Sequence, residues 1–179
     1  MNIAILAGSN HAASTSTQLI HYMVRVLESN GHAVQLMDLF QRPVPFYTPD
    51  TDFPDDSNLL LMKEMFVKAQ AIILSTPEYH GGVSGVLKNA LDHLGGEHFN
   101  EKVVLSVSSA GGDVAVSSLL QLQAVVRNVH GINCPEWISI GGSNRMFTAE
   151  GEPENPKMQQ RVKRVISYFI TMAEKLNRN

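Results

Sequence analysis

Hydroxyl-bearing side chains crowd the stretch from Gly8 to Gln18, directly after the short apolar run Ile3 to Ala7. A helical pattern follows, so the free amides and the positive dipole end of a helix start are available to a phosphate group. A helix cap explains one such hydroxyl but not a series of them. No G-K-[ST] or G-x-G-x-x-G follows Gly8, which favours a mononucleotide-type phosphate over tightly held ATP or NAD. The candidate ligands in this first loop are Ser9, His11, Ser14, Ser16, Thr17 and Gln18.

A second candidate loop covers residues 77–82 and follows another apolar run at 71–74. Its glycines let the backbone approach a flat ligand and expose amide groups. Tyr79 and His80 add ring faces, so the loop suits a planar heterocycle, although a plain tight turn explains the pattern equally well. A turn-stabilising or backbone-positioning role fits Glu78 better than that of a catalytic base. This loop adds Pro77, Glu78, Tyr79, His80 and Gly81 to the candidate site.

Strand-like and helix-like segments alternate along the chain, which is typical of a parallel sheet covered by helices on both faces. The five predicted strands cover residues 3–7, 33–36, 71–74, 103–107 and 132–140. The last is expected to be interrupted near Pro135. These elements fit a doubly wound α/β sheet in the order 2-1-3-4-5. Ligands bind beyond the carboxyl ends of such strands, so the loops after strands 1, 3 and 4 form one predicted site.

Composition limits the class of protein. The 179 residues suit one domain, 1–179, and carry a net charge of -3 without clustered Lys and Arg, which argues against nucleic acid as a partner. No apolar run reaches the length of a membrane helix, and a strand pattern at the N-terminus leaves no room for a signal peptide, so we expect a cytoplasmic location. Cys134 is expected in the core, and no His or Cys spacing predicts a metal site.

Two longer motifs surround these loops. The first motif is G-S-x-R-x-x-S-x-N-x-x-L. The chain matches it at Gly8, Ser9, Ser14 and Leu19, and has His11 in place of the arginine and Ser16 in place of the asparagine. The second motif is P-E-Y-x-G-x-x-x-G-x-L-K-N-x-x-D. The chain matches it at nine positions: Pro77, Glu78, Tyr79, Gly81, Gly85, Leu87, Lys88, Asn89 and Asp92. The chain thereby resembles the NADPH-dependent FMN reductase family, which includes azoreductase and quinone-reductase relatives. The second match is long and specific, and the similarity continues through residues 108–112.

The resemblance implies a flavodoxin-like fold, non-covalent FMN, and homodimers or homotetramers with sites near subunit interfaces. It implies that the first loop holds the FMN phosphate and that residues 77–81 line the isoalloxazine ring. A third loop would close the other side of the ring, adding Ser108, Ser109, Gly111 and Gly112 to the candidate site. Residues 145–147 could cover the site, but a plain surface loop is the favoured assignment.

The flavin would carry the chemistry, so no side chain is assigned as catalytic. NAD(P)H, as co-substrate, would pass a hydride to flavin N5, and a small electron acceptor would then take its place in a ping-pong scheme. Quinones, azo dyes, free flavin and metal oxyanions all stay open as acceptors, as does the choice between NADH and NADPH. The main alternative is a flavodoxin-like electron carrier that binds FMN without NAD(P)H. Such carriers tend to be strongly acidic, and a net charge of -3 argues mildly against it. A domain that kept the fold but lost the cofactor is a third possibility.

His11 in the family's arginine position predicts that FMN affinity depends on pH. Histidine is shorter than arginine and carries a full charge only when protonated, whereas arginine stays charged. We expect weaker FMN binding at about pH 8.5 than at about pH 6 in a fluorescence titration. Equal affinities at the two pH values would contradict this role of His11.

Overall fold

Seven strands occur in the structure, a computed structural model that describes residues 1–177. They are β1 (Asn2–Ala7), β2 (Ala33–Asp38), β3 (Ala71–Tyr79), β4 (Gly82–Val83), β5 (Val103–Ser109), β6 (Ile132–Asn133) and β7 (Ile138–Ile140). Five of them form a parallel path in the order β2-β1-β3-β5-β6. This is the predicted order 2-1-3-4-5, because β6 and β7 both pair with β5 and together make the predicted, interrupted fifth strand.

The segment predicted as a loop at 77–82 is in fact the end of a strand and a hairpin. Pro77 to Tyr79 continue β3, which pairs there with β5 and, antiparallel, with β4. His80 (φ 51°) and Gly81 (φ 73°) make the two-residue turn, and two positive φ angles are those of a type I′ hairpin. The pairing of β3 with β1 ends at Ser75, so the missing N–H of Pro77 breaks no ladder on that side.

Six helices surround the sheet: α1 (Thr15–Ser29), α2 (Ser57–Lys68), α3 (Gly85–Asp92), α4 (Gly96–Phe99), α5 (Val116–Asn128) and α6 (Pro156–Leu176). Side-chain caps begin four of them: Ser14 caps α1, Asp56 caps α2, Ser84 caps α3 and Asn155 caps α6. The first and third of these caps decide where α1 and α3 begin beside the candidate site. Within residues 1–177, no helix is both long enough and apolar enough to cross a bilayer.

Two apolar cores lie on opposite faces of the sheet. Successive side chains of a strand point to opposite faces. Ile3 and Ile5 therefore pack in the core with α1 and α6, while Ala4 and Leu6 pack in the core with α2, α3 and α5. Burial on both faces explains why the strands are continuous apolar runs. Cys134 lies in the first core, where burial raises the pKa of its thiol, so its predicted place in the core is confirmed.

Candidate functional site

A cleft of about 140 Å³ lies at the carboxyl end of the parallel strands. The first loop supplies His11 and residues 13–15 to its surface, the β3 end supplies residues 77–79, and the loop after β5 supplies residues 109–111. Arg145 completes the lining. Three loops that the sequence predicted to converge are therefore brought together. Eight predicted residues lie outside the surface of this cleft: Ser9, Ser16, Thr17, Gln18, His80, Gly81, Ser108 and Gly112.

The start of the first loop is held tightly against the sheet and α3. The amide of Gly8 donates to the Ser75 carbonyl oxygen at 2.7 Å, and the Gly8 carbonyl accepts from the Ser84 hydroxyl. Ser9 is fully buried, and its hydroxyl accepts from the His11 amide at 3.1 Å. Ser9 thus shapes the loop from within, while His11 stands exposed at the cleft.

The first turn of α1 carries an unusual concentration of buried hydroxyls. Ser14 accepts a long hydrogen bond from the Thr17 amide at 3.5 Å and shares a hydrogen bond of 2.8 Å with Ser16. The Thr17 hydroxyl is buried and has no partner within the described part of the chain. This hydroxyl has no surface on the cleft, so what the helix start offers to an anion is its backbone amides and the positive end of the helix dipole.

The hairpin of β3 and β4 is fastened to α5 by two side chains. The Glu78 carboxylate accepts from both the amide and the hydroxyl of Ser118, each at 2.9 Å. Gln121 donates to the Gly81 carbonyl and accepts from the Val83 amide, both at 3.1 Å. Glu78 therefore has the positioning role that the sequence favoured, because its carboxylate holds the start of α5.

A chain of buried hydroxyls continues from Glu78 into the sheet. The hydroxyls of Ser118 and Ser108 lie 2.7 Å apart, and Ser108 donates to the Thr76 carbonyl at 3.0 Å. Ser108, predicted to contact the flavin, lies inside this network and has no surface on the cleft. The network joins β3, β5 and α5, and so fixes the second loop against the third.

Glu78→Ala tests this network. We expect the free energy of unfolding to fall by about 1–3 kcal/mol, because the buried amide and hydroxyl of Ser118 lose their acceptor. Glu78→Gln keeps an acceptor oxygen and should lose less. Urea unfolding measures both, and Glu64→Ala is the matched control because the Glu64 carboxylate forms an exposed i,i+4 pair with Lys68. Equal losses in Glu78→Ala and Glu64→Ala would contradict the assigned role.

For residues 145–147 the sequence favoured a plain surface loop over a cover for the site, but Arg145 lies at the cleft. It ends a 3₁₀ turn, Gly142–Arg145, that follows β7, and its side chain lines the cleft. Its Nε lies 3.4 Å from the Thr15 hydroxyl at the start of α1. The signal that could have found it is topological: the loop after the last strand reaches the same edge of the sheet as the other three.

A second cavity, of about 380 Å³, adjoins the cleft at Tyr79. Most of its lining is apolar and includes Leu39, Val44, Phe46 and Val86. A larger groove of about 700 Å³ runs between α1 and α6, but it contains no residue predicted for the site. We therefore base the site on the two smaller cavities, where the predicted residues lie.

Asn89 holds the wall of the second cavity, a role that the sequence did not reveal. Its side chain accepts from the Tyr47 amide at 2.8 Å and donates to the Pro45 carbonyl at 2.9 Å. Its neighbours in the motif, Lys88 and Asp92, form an exposed ion pair at 2.7 Å. Within that motif, Asn89 is thus the residue that orders the proline-rich loop over the cavity.

Comparisons with known proteins agree with this geometry. The family model described as NADPH-dependent FMN reductase matches residues 1–145. An FMN-dependent NADPH-azoreductase from Staphylococcus aureus is 33% identical over 152 residues, which cover 82% of this chain and 80% of that protein.

Solved structures share the fold. A flavoenzyme NAD(P)H:(acceptor) oxidoreductase (FerB) from Paracoccus denitrificans superposes with a TM-score of 0.83 at 20% identity, covering 97% of both chains. A flavodoxin from the domain Archaea superposes with a TM-score of 0.66 at 15% identity, covering 98% of this chain and 99% of that one. The predicted flavodoxin-like fold is confirmed, with two short strands more than expected. The chain belongs to the NADPH-dependent FMN reductase family and is an NAD(P)H-dependent flavin oxidoreductase that uses FMN.

Proposed function

We propose that this oxidoreductase binds FMN in the cleft between its loops and reduces a flat, uncharged aromatic acceptor by a ping-pong scheme. The observation that carries the proposal is the convergence of the first loop, the β3 end and the loop after β5 on one cleft, with an apolar cavity beside it at Tyr79. The scheme fits because the nucleotide and the acceptor would approach from the same open side in turn.

The phosphate end of FMN would lie at the start of α1. The first-turn amides offer hydrogen-bond donors, and the helix dipole favours an anion there. His11 stands at the rim of the same cleft. A phosphorylated ligand therefore fits the donors that this chain leaves free.

The ring end would lie between Pro77–Tyr79 and Ser109–Gly111. The Glu78 and Gln121 contacts hold the hairpin on α5, so its backbone groups are oriented before a ligand arrives. Bound between these segments, FMN would supply the redox chemistry, hydride acceptance from NAD(P)H and electron delivery to the acceptor. The chain's contribution is orientation and backbone donors for developing negative charge.

The apolar cavity selects the class of acceptor. The buried Leu39 and the partly buried Val44 and Val86 form its inner wall, where a hydrated anion would lose solvation. Quinones and azo compounds therefore suit the cavity better than metal oxyanions. Val44→Asp should raise the KM for a quinone about tenfold or more while NADPH still bleaches the flavin. Val67→Asp, on the exposed side of α2, is the control, and it should change neither the KM for the quinone nor the bleaching of the flavin by NADPH.

Anaerobic addition of NADPH to the yellow protein tests the proposed reaction. We expect rapid bleaching without an acceptor, recovery of colour when menadione or an uncharged azo dye is added, and parallel double-reciprocal plots. Intersecting plots would overturn the ping-pong scheme. A chromate kcat/KM equal to that of the quinone would overturn the proposed acceptor class. A purified protein without flavin absorbance would overturn the FMN site itself.

We also propose a homodimer or homotetramer that uses the outer face of α5. Val116 and Leu120 lie one turn apart on that face and are exposed, as is Val114 just before the helix. Single exposed apolar residues are ordinary, but three together beside the cleft suit a subunit contact. Leu120→Lys should lower the mass measured by light scattering, whereas Leu60→Lys on α2 should not.

A further inference from the structure

We propose that Arg145 binds the 5′-phosphate of FMN and supplies the permanent positive charge that the family motif places at position 11. This inference rests on the proposed FMN site. The guanidinium bridges two of its loops: Nε lies 3.4 Å from the Thr15 hydroxyl, and Nη1 lies 4.0 Å from where a Cβ on Gly111 would stand. Arg145 therefore sits between the start of α1 and the third loop.

The backbone that carries Arg145 is fixed on both sides. The Gly142 amide donates to the Gly112 carbonyl at 2.8 Å, which ties the 3₁₀ turn to the third loop. The Asn144 side chain accepts from Asn155, the cap of α6, at 2.6 Å. The backbone of the turn is therefore fixed beside the cleft, and the Arg145 side chain starts from a defined position at its rim.

The charges around the cleft leave this guanidinium available. Among residues 1–177, Arg145 forms no ion pair. The Glu78 carboxylate, which also lines the cleft, is occupied by two hydrogen bonds from Ser118. Asp113 is the acidic residue directly after the third loop, and its carboxylate lies next to Gly142. Arg145 and His11 are the basic side chains that line the cleft.

A phosphate dianion at this position needs more charge than the helix start provides. The dipole of α1 is equivalent to about half a charge, and a histidine adds a full charge only when protonated. Arginine is charged at every working pH and presents a planar fork of donors that matches phosphate geometry. Arg145 thus replaces the charge that the substitution at position 11 removes.

Competition between FMN and riboflavin tests the inference, because the two flavins differ only in the phosphate. Holoprotein is equilibrated with mixtures of FMN and riboflavin, and the bound flavin is quantified by chromatography. Arg145→Gln should lower the selectivity for FMN about 10- to 100-fold. The selectivity of Arg145→Lys should lie between those of the wild type and Arg145→Gln, because lysine keeps the positive charge but lacks the planar set of donors of a guanidinium. Arg127→Gln, at the exposed end of α5, is the matched control and should keep the wild-type selectivity.

Unchanged selectivity in Arg145→Gln would overturn the inference. So would loss of affinity for both flavins equally, which indicates a structural role. A lower preference for NADPH over NADH with unchanged flavin selectivity would also overturn it, and would assign the arginine to the nucleotide's 2′-phosphate. Wild-type protein that retains neither flavin would instead contradict the FMN site on which the inference rests.

Discussion

Alanine in place of Gly8 is expected to lower the free energy of unfolding by about 2–3 kcal/mol and to release the flavin. A Cβ on Gly8 would lie 2.4 Å from the Leu87 Cβ and 2.8 Å from the Ser75 carbonyl oxygen. Neither neighbour can yield, since Leu87 is fully buried in α3 and the oxygen belongs to the backbone of β3. Urea unfolding and flavin absorbance of the purified variant measure the two effects.

The effect on the flavin follows from what Gly8 joins. Its amide and carbonyl hold the first loop to Ser75 and Ser84, and both bonds would shift together with the loop. The start of α1 follows this loop directly, so the phosphate donors would move away from the cleft. We therefore expect overpacking at Gly8, which connects the first loop to β3 and α3, to damage the site more than a surface substitution nearer to the ligand.

Gly85→Ala is the matched control for Gly8→Ala. Gly85 begins α3, and a Cβ there meets nothing within 4 Å. Alanine is a better helix former than glycine, so the stability should be unchanged or rise by about 0.5–1 kcal/mol. If both alanine variants kept wild-type stability and colour, the close packing of the first loop on α3 would be refuted.

Gly141→Ala is expected to displace the turn that carries Arg145. A Cβ at Gly141 would lie 2.1 Å from the Gly112 carbonyl oxygen and 2.6 Å from that of Asp113. Two backbone segments must then separate, which costs about 1–3 kcal/mol of folding free energy. The guanidinium would move with its turn, so the selectivity for FMN over riboflavin should fall as in Arg145→Gln.

Gly96→Ala provides the comparison, because its Cβ makes only an ordinary 3.8 Å contact with His130. It should keep both the stability and the flavin selectivity of the wild type. Thermal unfolding reports the first quantity and the flavin competition the second. A Gly141→Ala protein that matched Gly96→Ala in both would show that the 3₁₀ turn and the third loop do not pack as described.

Sequence reasoning succeeded where the deciding contacts are local or periodic. The apolar runs located the strands, and a helix cap was expected to account for one hydroxyl of the first loop, where Ser14 caps α1. It failed at Pro77 to Tyr79, because proline and glycine ordinarily end a strand and no local signal reveals that β5 continues alongside. It also missed Asn89, whose partners lie more than forty positions earlier in the chain.

The residues themselves determined the fold class, the strand order and the two family motifs, since alternation, capping and turn chemistry act over a few neighbouring positions. Tertiary structure alone decided which side chains line the cleft. Ser9 and Ser108 are buried inside the protein, whereas Arg145 lies at the cleft beside Thr15, which is 130 positions away in the chain. This contact depends on the topology of the whole sheet, because only the strand order and the crossover connections bring the carboxyl ends of distant strands to one edge.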